Sequence, residues 1–153
     1  MENKIWHQIT LLQETGYHNF PQVANRTRSG RILDKPICYY DKEENALRSQ
    51  IREAIRAIWD SKEPLVGDIE AVYFFGVKIP ESWSNKKRAA ALSGKIKPRV
   101  KPDLTNRLYW LENRLKGIVF GDDALIVDLS ARGRYVEKPY AQVFVRIVPD
   151  SDD

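Results

Sequence analysis

Apolar and polar residues alternate along four stretches of this chain. Ile5, His7, Ile9 and Leu11 form the first. A period of two puts every second side chain on one face of a strand, so these residues predict one. Ile69, Ala71, Tyr73, Phe75, Val77 and Ile79 form a longer run that Pro80 stops. Its alternate positions hold Val72 and Phe74, which predicts cover on both faces. Leu125, Val127 and Leu129 predict a third strand, and Ala141, Val143, Val145 and Ile147 a fourth. Residues 131–139, with Gly133 and Pro139, read as the turn between those two.

Two stretches have helical spacing instead. Leu47, Ile51, Ala54, Ile55 and Ile58 share one face. Asp41 is placed to cap that helix with Glu44 as its capping-box partner, and Pro64 and Gly67 end it. Leu108, Leu111 and Leu115 predict a second helix over 105–116, closed by Gly117. Residues 14–36 contain Gly16, Pro21, Gly30 and Pro36 and read as a loop carrying Arg26, Arg28 and Arg31. Residues 81–102 read as a second irregular segment, with a helical turn at Ala89–Leu92. This order of elements predicts an α+β domain.

Composition narrows the class. The 153 residues suit one domain, expected to span 1–149 ahead of an acidic tail at 150–153. Hydrophobic residues are 42% and charged residues 30%, the balance of a globular protein in water. The net charge of +4 includes Asp150, Asp152 and Asp153, so residues 1–149 carry +7. That surplus favours a polyanionic partner. Cys38 is the single cysteine, which excludes an internal disulfide and fits a reducing, cytoplasmic setting. No apolar run is long enough to cross a bilayer, and no signal-peptide pattern opens the chain, so no membrane partner is expected.

The positive charge is concentrated. Lys86, Lys87, Arg88, Lys95, Lys97, Arg99 and Lys101 fall within sixteen positions, and residues 82–102 hold no acid. Such a run fits a solvated surface. With Trp83 nearby for stacking, it also fits contact with a nucleic-acid backbone.

Acidic residues follow at once. Asp103 precedes the second helix, Glu112 lies within it, and Asp122 and Asp123 come after it. On a wheel with Leu108 at zero, Glu112 falls near 40°, Thr105 near 60° and Tyr109 near 100°. Glu112 therefore sits at the edge of the apolar stripe, where a carboxylate needs a cation, a donor or a metal. Each acid has a plain structural reading: an N-cap for Asp103, a structural pair for Glu112, a turn for Gly121-Asp122-Asp123. Gathered together, they would offer the hard oxygen ligands that Mg²⁺ or Mn²⁺ takes. Such an ion can generate hydroxide and neutralise charge on a phosphodiester. That chemistry requires residues 103, 112 and 123 to converge.

Three segments carry a family resemblance. They are Ile79-Pro80-Glu81-Ser82-Trp83-Ser84-Asn85-Lys86-Lys87-Arg88, Lys101-Pro102-Asp103-Leu104-Thr105-Asn106, and Leu115-Lys116-Gly117-Ile118-Val119-Phe120-Gly121-Asp122-Asp123. Together they resemble the RusA family of Holliday-junction resolvases, which are small homodimeric, Mg²⁺-dependent endonucleases common in phages and prophages. The resemblance implies a small mixed sheet with two main helices, a homodimer, and four-way-junction DNA as substrate. It places the family's catalytic aspartates on Asp103 and Asp123, with Asp122 beside the latter as a further metal ligand. The chain departs from the family at Thr105, where a second aspartate is usual, at Tyr109, where a lysine is frequent, and at Leu125, where glutamine is typical. Members with threonine at the position of Thr105 tend to carry a glutamate where Glu112 stands, so Glu112 is the expected third carboxylate. Arg107 and Lys116 are candidates for the displaced cation. Arg26, Arg28 and Arg134 join the basic run as expected DNA contacts. The departures leave open a homologue that binds junctions without cutting them.

Overall fold

A computed structural model of the chain describes residues 5–13, 22–26, 32–39 and 42–149, with side chains for 5–13 and 45–149. Strand β1 (His7–Leu11) is followed by β2 (Gln22–Arg26), β3 (Ile32–Tyr39) and helix α1 (Lys42–Ile58). Then come β4 (Ile69–Lys78), α2 (Asn85–Leu92), α3 (Leu104–Leu115), β5 (Ile126–Val136) and β6 (Tyr140–Ile147). Four strands form one sheet in the order β1-β6-β4-β5. The β1–β6 and β4–β6 pairs are antiparallel, while β4 and β5 run parallel. A parallel pair needs a crossover connection, and α2 and α3 supply it. The fold is α+β on a small mixed sheet, as expected.

Central β4 sets the core. Ile69, Ala71, Tyr73, Phe75 and Val77 point to one side, and each is at most 5% exposed. Ile51, Ile55 and Trp59 from the α1 region, with Trp110, Leu111 and Leu115 from α3, join the same buried cluster. Fully burying each large side chain contributes roughly 1.5–3 kcal/mol. Lys116 closes α3, and Gly117 follows it at φ +83°, a conformation that costs glycine little. Helix α2 begins where the Ser84 hydroxyl accepts the Lys87 N–H at 3.3 Å.

Several expectations change. Residues 14–36 are not a continuous loop, because β2 pairs antiparallel with β3. Proline made this region look unpaired. Pro36 lies where the register shifts between Ala24 and Arg26, and a bulge tolerates the missing N–H. Residues 81–102 are less irregular than expected, since α2 occupies eight of them. The turn assigned to 131–139 is confined to 137–139, because β5 continues to Val136. Gly133 stays in the ladder opposite Phe75, so pairing with a central strand overrides weak strand propensity. Val127 and Leu129 are exposed on this edge strand, and Leu47 and Ile58 are exposed on α1. The second face of β4 is only half covered. There Phe74 meets Phe144 edge to face at 6.0 Å. Asp41 and the side chain of Glu44 lie outside the described residues, as does His18.

Candidate functional site

Glu112 occupies the third turn of α3, on the flank that meets β4. Its carboxylate accepts a hydrogen bond from the Tyr73 hydroxyl at 3.4 Å. Tyr73 is fully buried, and a buried phenol needs such a partner. Burial pushes the Glu112 carboxyl above the usual carboxylate range; the Tyr73 bond opposes this and the charge of Asp123 adds to it. Burial likewise pushes the Tyr73 phenol up, with Glu112 and Asp123 both contributing. Glu112 and Asp123 therefore feel each other's charge beside one phenol.

The aspartates come from the loop after α3. Asp122 caps a short 3₁₀ turn, Asp123–Leu125, by accepting the Ala124 N–H at 3.0 Å. That bond, one shared with Asp123, and nearby Lys116 hold the Asp122 carboxyl below its usual range. The Lys116 ammonium is 3.5 Å from Asp123 and 3.7 Å from Asp122. Of the two candidates for the displaced cation, Lys116 is thus at the carboxylates. Arg107 is buried and donates to the Pro102 carbonyl at 2.8 Å, a structural duty.

Asp103 stands at the other end of α3. It caps the helix by accepting the Asn106 N–H at 2.9 Å, and Lys101 donates to it at 2.7 Å. The Lys101 bond, then the Asn106 N–H, hold its carboxyl below the usual range. Asp103 and Glu112 are nine residue steps apart, a backbone rise of about 13 Å along the helix axis. Glu112 and Asp123 interact through their charges, while Asp103 caps the opposite end of α3. Thr105 and Tyr109 are exposed between the two ends. Among the described residues, no three His, Cys, Asp or Glu side chains gather as a metal cage. The pair still fits a hard cation, because Mg²⁺ is commonly held by one or two carboxylates and keeps several waters. Burial is the main cause of the raised Glu112 pKa and the charge of Asp123 adds to it, so a cation beside the pair would favour the anion.

The basic residues divide into tied and free. Lys86, Lys95, Lys97 and Arg99 are exposed. Lys87 lies 3.9 Å over the Trp83 ring, whose centroid is 5.1 Å from that of Tyr135. Trp83 is therefore a packing residue rather than an open stacking platform. Arg88 is committed to Glu137 at 2.6 Å and to the Pro80 carbonyl at 3.1 Å. Arg134 donates to the Tyr140 hydroxyl at 3.1 Å, beside a groove of about 580 Å³ that Lys97, Arg132 and Phe144 also line. Gly76 makes this possible: the Tyr140 ring lies where a Cβ would stand, 2.5 Å away. Arg28 and the side chain of Arg26 lie outside the described residues. Sequence reasoning did not single out Tyr73 as a site residue, although a tyrosine at a core strand position is a signal that a buried hydroxyl needs a partner. No helix among the described residues is long and apolar enough to cross a membrane.

Two comparisons with known proteins bear on the chain as a whole. Over 72 residues the chain is 35% identical to the uncharacterized protein YqaN of Bacillus subtilis (strain 168), which takes in 46% of this chain and 51% of that protein. The chain thus spans about half the length of the curated relative it matches. Residues 20–148, which include every segment that carries the resemblance, match the family described as Endodeoxyribonuclease RusA. The chain belongs to the RusA endodeoxyribonuclease family.

Proposed function

We propose that this chain is a structure-selective DNA endonuclease that cuts four-way junctions by divalent-metal-dependent phosphodiester hydrolysis. The observation that carries the reading is the Glu112–Asp123 pair, held against Tyr73 with Lys116 alongside. Glu112 and Asp123, with Asp122 adjacent, would hold Mg²⁺ or Mn²⁺. The ion supplies charge neutralisation and an activated water. Tyr73 orients the Glu112 carboxylate and shields one side of it from water. Lys116 offers a cation at the phosphate in place of the lysine that Tyr109 displaces. Asp103, on which the resemblance places the family's first catalytic aspartate, would serve from the N-terminal end of α3.

The exposed run Lys86, Lys87, Lys95, Lys97, Arg99 and Lys101, with Arg26, Arg28, Arg88 and Arg134, is the proposed backbone contact. Such contacts read the shape of the substrate more than its sequence. A homodimer matches the two-fold symmetry of a four-way junction and presents one site to each of two opposed strands. A bacterial or phage-infected cytoplasm is the proposed setting, and recombination and repair the proposed process.

A synthetic four-way junction, a matching linear duplex and added Mg²⁺ or Mn²⁺ test the reading on one gel. Paired nicks in the junction alone are expected, and their absence with both metals would sink it. One observation favours a second reading, a junction-binding homologue without catalysis: no three-carboxylate cage forms among the described residues, and Thr105 stands where the family has an acid. That homologue would bind the junction, hold no Mn²⁺, and show no change in Asp123→Asn.

A further inference from the structure

Helices α1 and α3 leave between them a groove of about 700 Å³, lined by Asn45, Arg48, Ser49, Arg52, Asn113 and Lys116. Three of the six residues are cations, three are neutral and polar, and none is acidic. So polar a lining does not suit an apolar small molecule.

The cations are arranged as well as concentrated. Arg48, Arg52 and Arg56 recur every fourth residue of α1, which makes them neighbours on one helix flank. Among the described residues, no carboxylate pairs with any of them. Arg52 donates to the carbonyls of Arg114 and Lys116 at 3.1 and 2.8 Å, which satisfies orphan acceptors at the end of α3 and holds the guanidinium still. Burial is the main cause of its lowered pKa, and the charges of Arg56 and Arg48 add to it. At the far side of the groove Lys116 reaches Asp123 at 3.5 Å. Lys116 thus belongs both to the groove and to the surroundings of Asp122 and Asp123.

Guanidinium, ammonium, amide and hydroxyl groups are the donors that phosphate oxygens take. We propose that the α1–α3 groove is a phosphodiester-backbone site, which seats the DNA strand as it enters the Glu112–Asp123 pair. Arg48 and Lys116 supply its charge contacts, Ser49 and Asn113 its neutral donors, and Arg52 positions the wall. This inference rests on the DNA-cleavage reading and extends it to a helix outside the family's motifs.

The test compares full-length wild type with Arg48→Gln, Ser49→Glu and Arg56→Gln, the last on the same helix but outside the groove. Binding of a labelled four-way junction is measured against salt concentration, with circular dichroism to verify folding. Each lost phosphate contact should reduce the slope of log affinity against log salt by about 0.9. Arg48→Gln is expected to show that reduction, Ser49→Glu to bind at least tenfold more weakly, and Arg56→Gln to keep the parental slope. Parental slope and affinity in both groove variants would overturn the groove while leaving the DNA reading intact. A wild type that binds no junction would overturn both. If Arg48→Gln does not fold, Ser49→Glu, an exposed position, decides alone.

Discussion

The two ends of helix α3 each present a carboxylate, in opposite electrostatic conditions. At the N-terminus Asp103 is half exposed, accepts a backbone N–H and is neutralised by Lys101, so its anion is favoured. Toward the C-terminus Glu112 is half buried, faces another acid and is held by one long hydrogen bond, so its anion is disfavoured. Helix physics explains the first: the positive end of the dipole and free N–H groups suit an anion. It works against the second. A carboxylate kept where its charge is costly is a common mark of a functional position. The contrast gives Asp103 a capping role at the N-terminal end and makes the C-terminal end the place for the proposed metal.

The sharpest way to break this contrast is to remove the acids one at a time. Asp123→Asn and Glu112→Gln are each expected to lower cleavage by at least about a hundredfold. Both should also abolish the rise in melting temperature that Mn²⁺ produces by binding the folded state. Asp103→Asn should reduce cleavage but keep that rise. Equal loss of the Mn²⁺ effect in all three would erase the difference between the ends.

Salt separates the basic segment from both. Junction affinity should fall steeply as salt rises, and joint replacement of Lys95, Lys97 and Arg99 by glutamine should reduce the log–log slope by about 2–3. Salt-independent binding would show that the charge of this segment is irrelevant.

Acid and base titration sharpen the comparison next. Glu112 binds its proton more tightly folded than unfolded, so its stabilising effect is present in acid and is lost as pH rises from the ordinary carboxylate range through the raised value. Asp103 has the opposite sign: its contribution is present above the ordinary range and is lost as pH falls through its lowered value. Melting curves should therefore show Glu112→Gln gaining on wild type toward neutral pH and Asp103→Asn losing there. Parallel pH profiles for the two variants would contradict this. The smallest effect belongs to Tyr73→Phe, which removes one long hydrogen bond and should cost about 0.5–1.5 kcal/mol in denaturant titration. It should also raise the Glu112 pKa further, because the lost bond favours the anion.

Much of the fold was legible because local patterning and tertiary packing agree. The alternation from Ile69 to Val77 became the buried face of β4, and Leu111 and Leu115 became the buried stripe of α3. Reading failed where the two conflict. Pro36 and Gly133 are poor strand residues by propensity, yet both lie in strands, one at a bulge and one beside a central partner. The site was half legible. Edge placement of Glu112 on the wheel pointed to a partner, but the partner was Tyr73, thirty-nine residues away. Between Arg107 and Lys116 no sequence rule chose. The loop after Gly117 did, by turning Asp122 and Asp123 back on Lys116.

By itself the amino-acid order determined the α+β class, the extent of the basic segment, the capping of α3 by Asp103 and the family motifs, because each depends on neighbours within a few residues. Only the tertiary structure decided that Glu112 meets Tyr73 and feels the charge of Asp123, and that Arg48 and Arg52 of α1 line a groove with Lys116. Those relations depend on how α1, α3 and β4 pack, and a distance across packed elements is not encoded in any short stretch of chain.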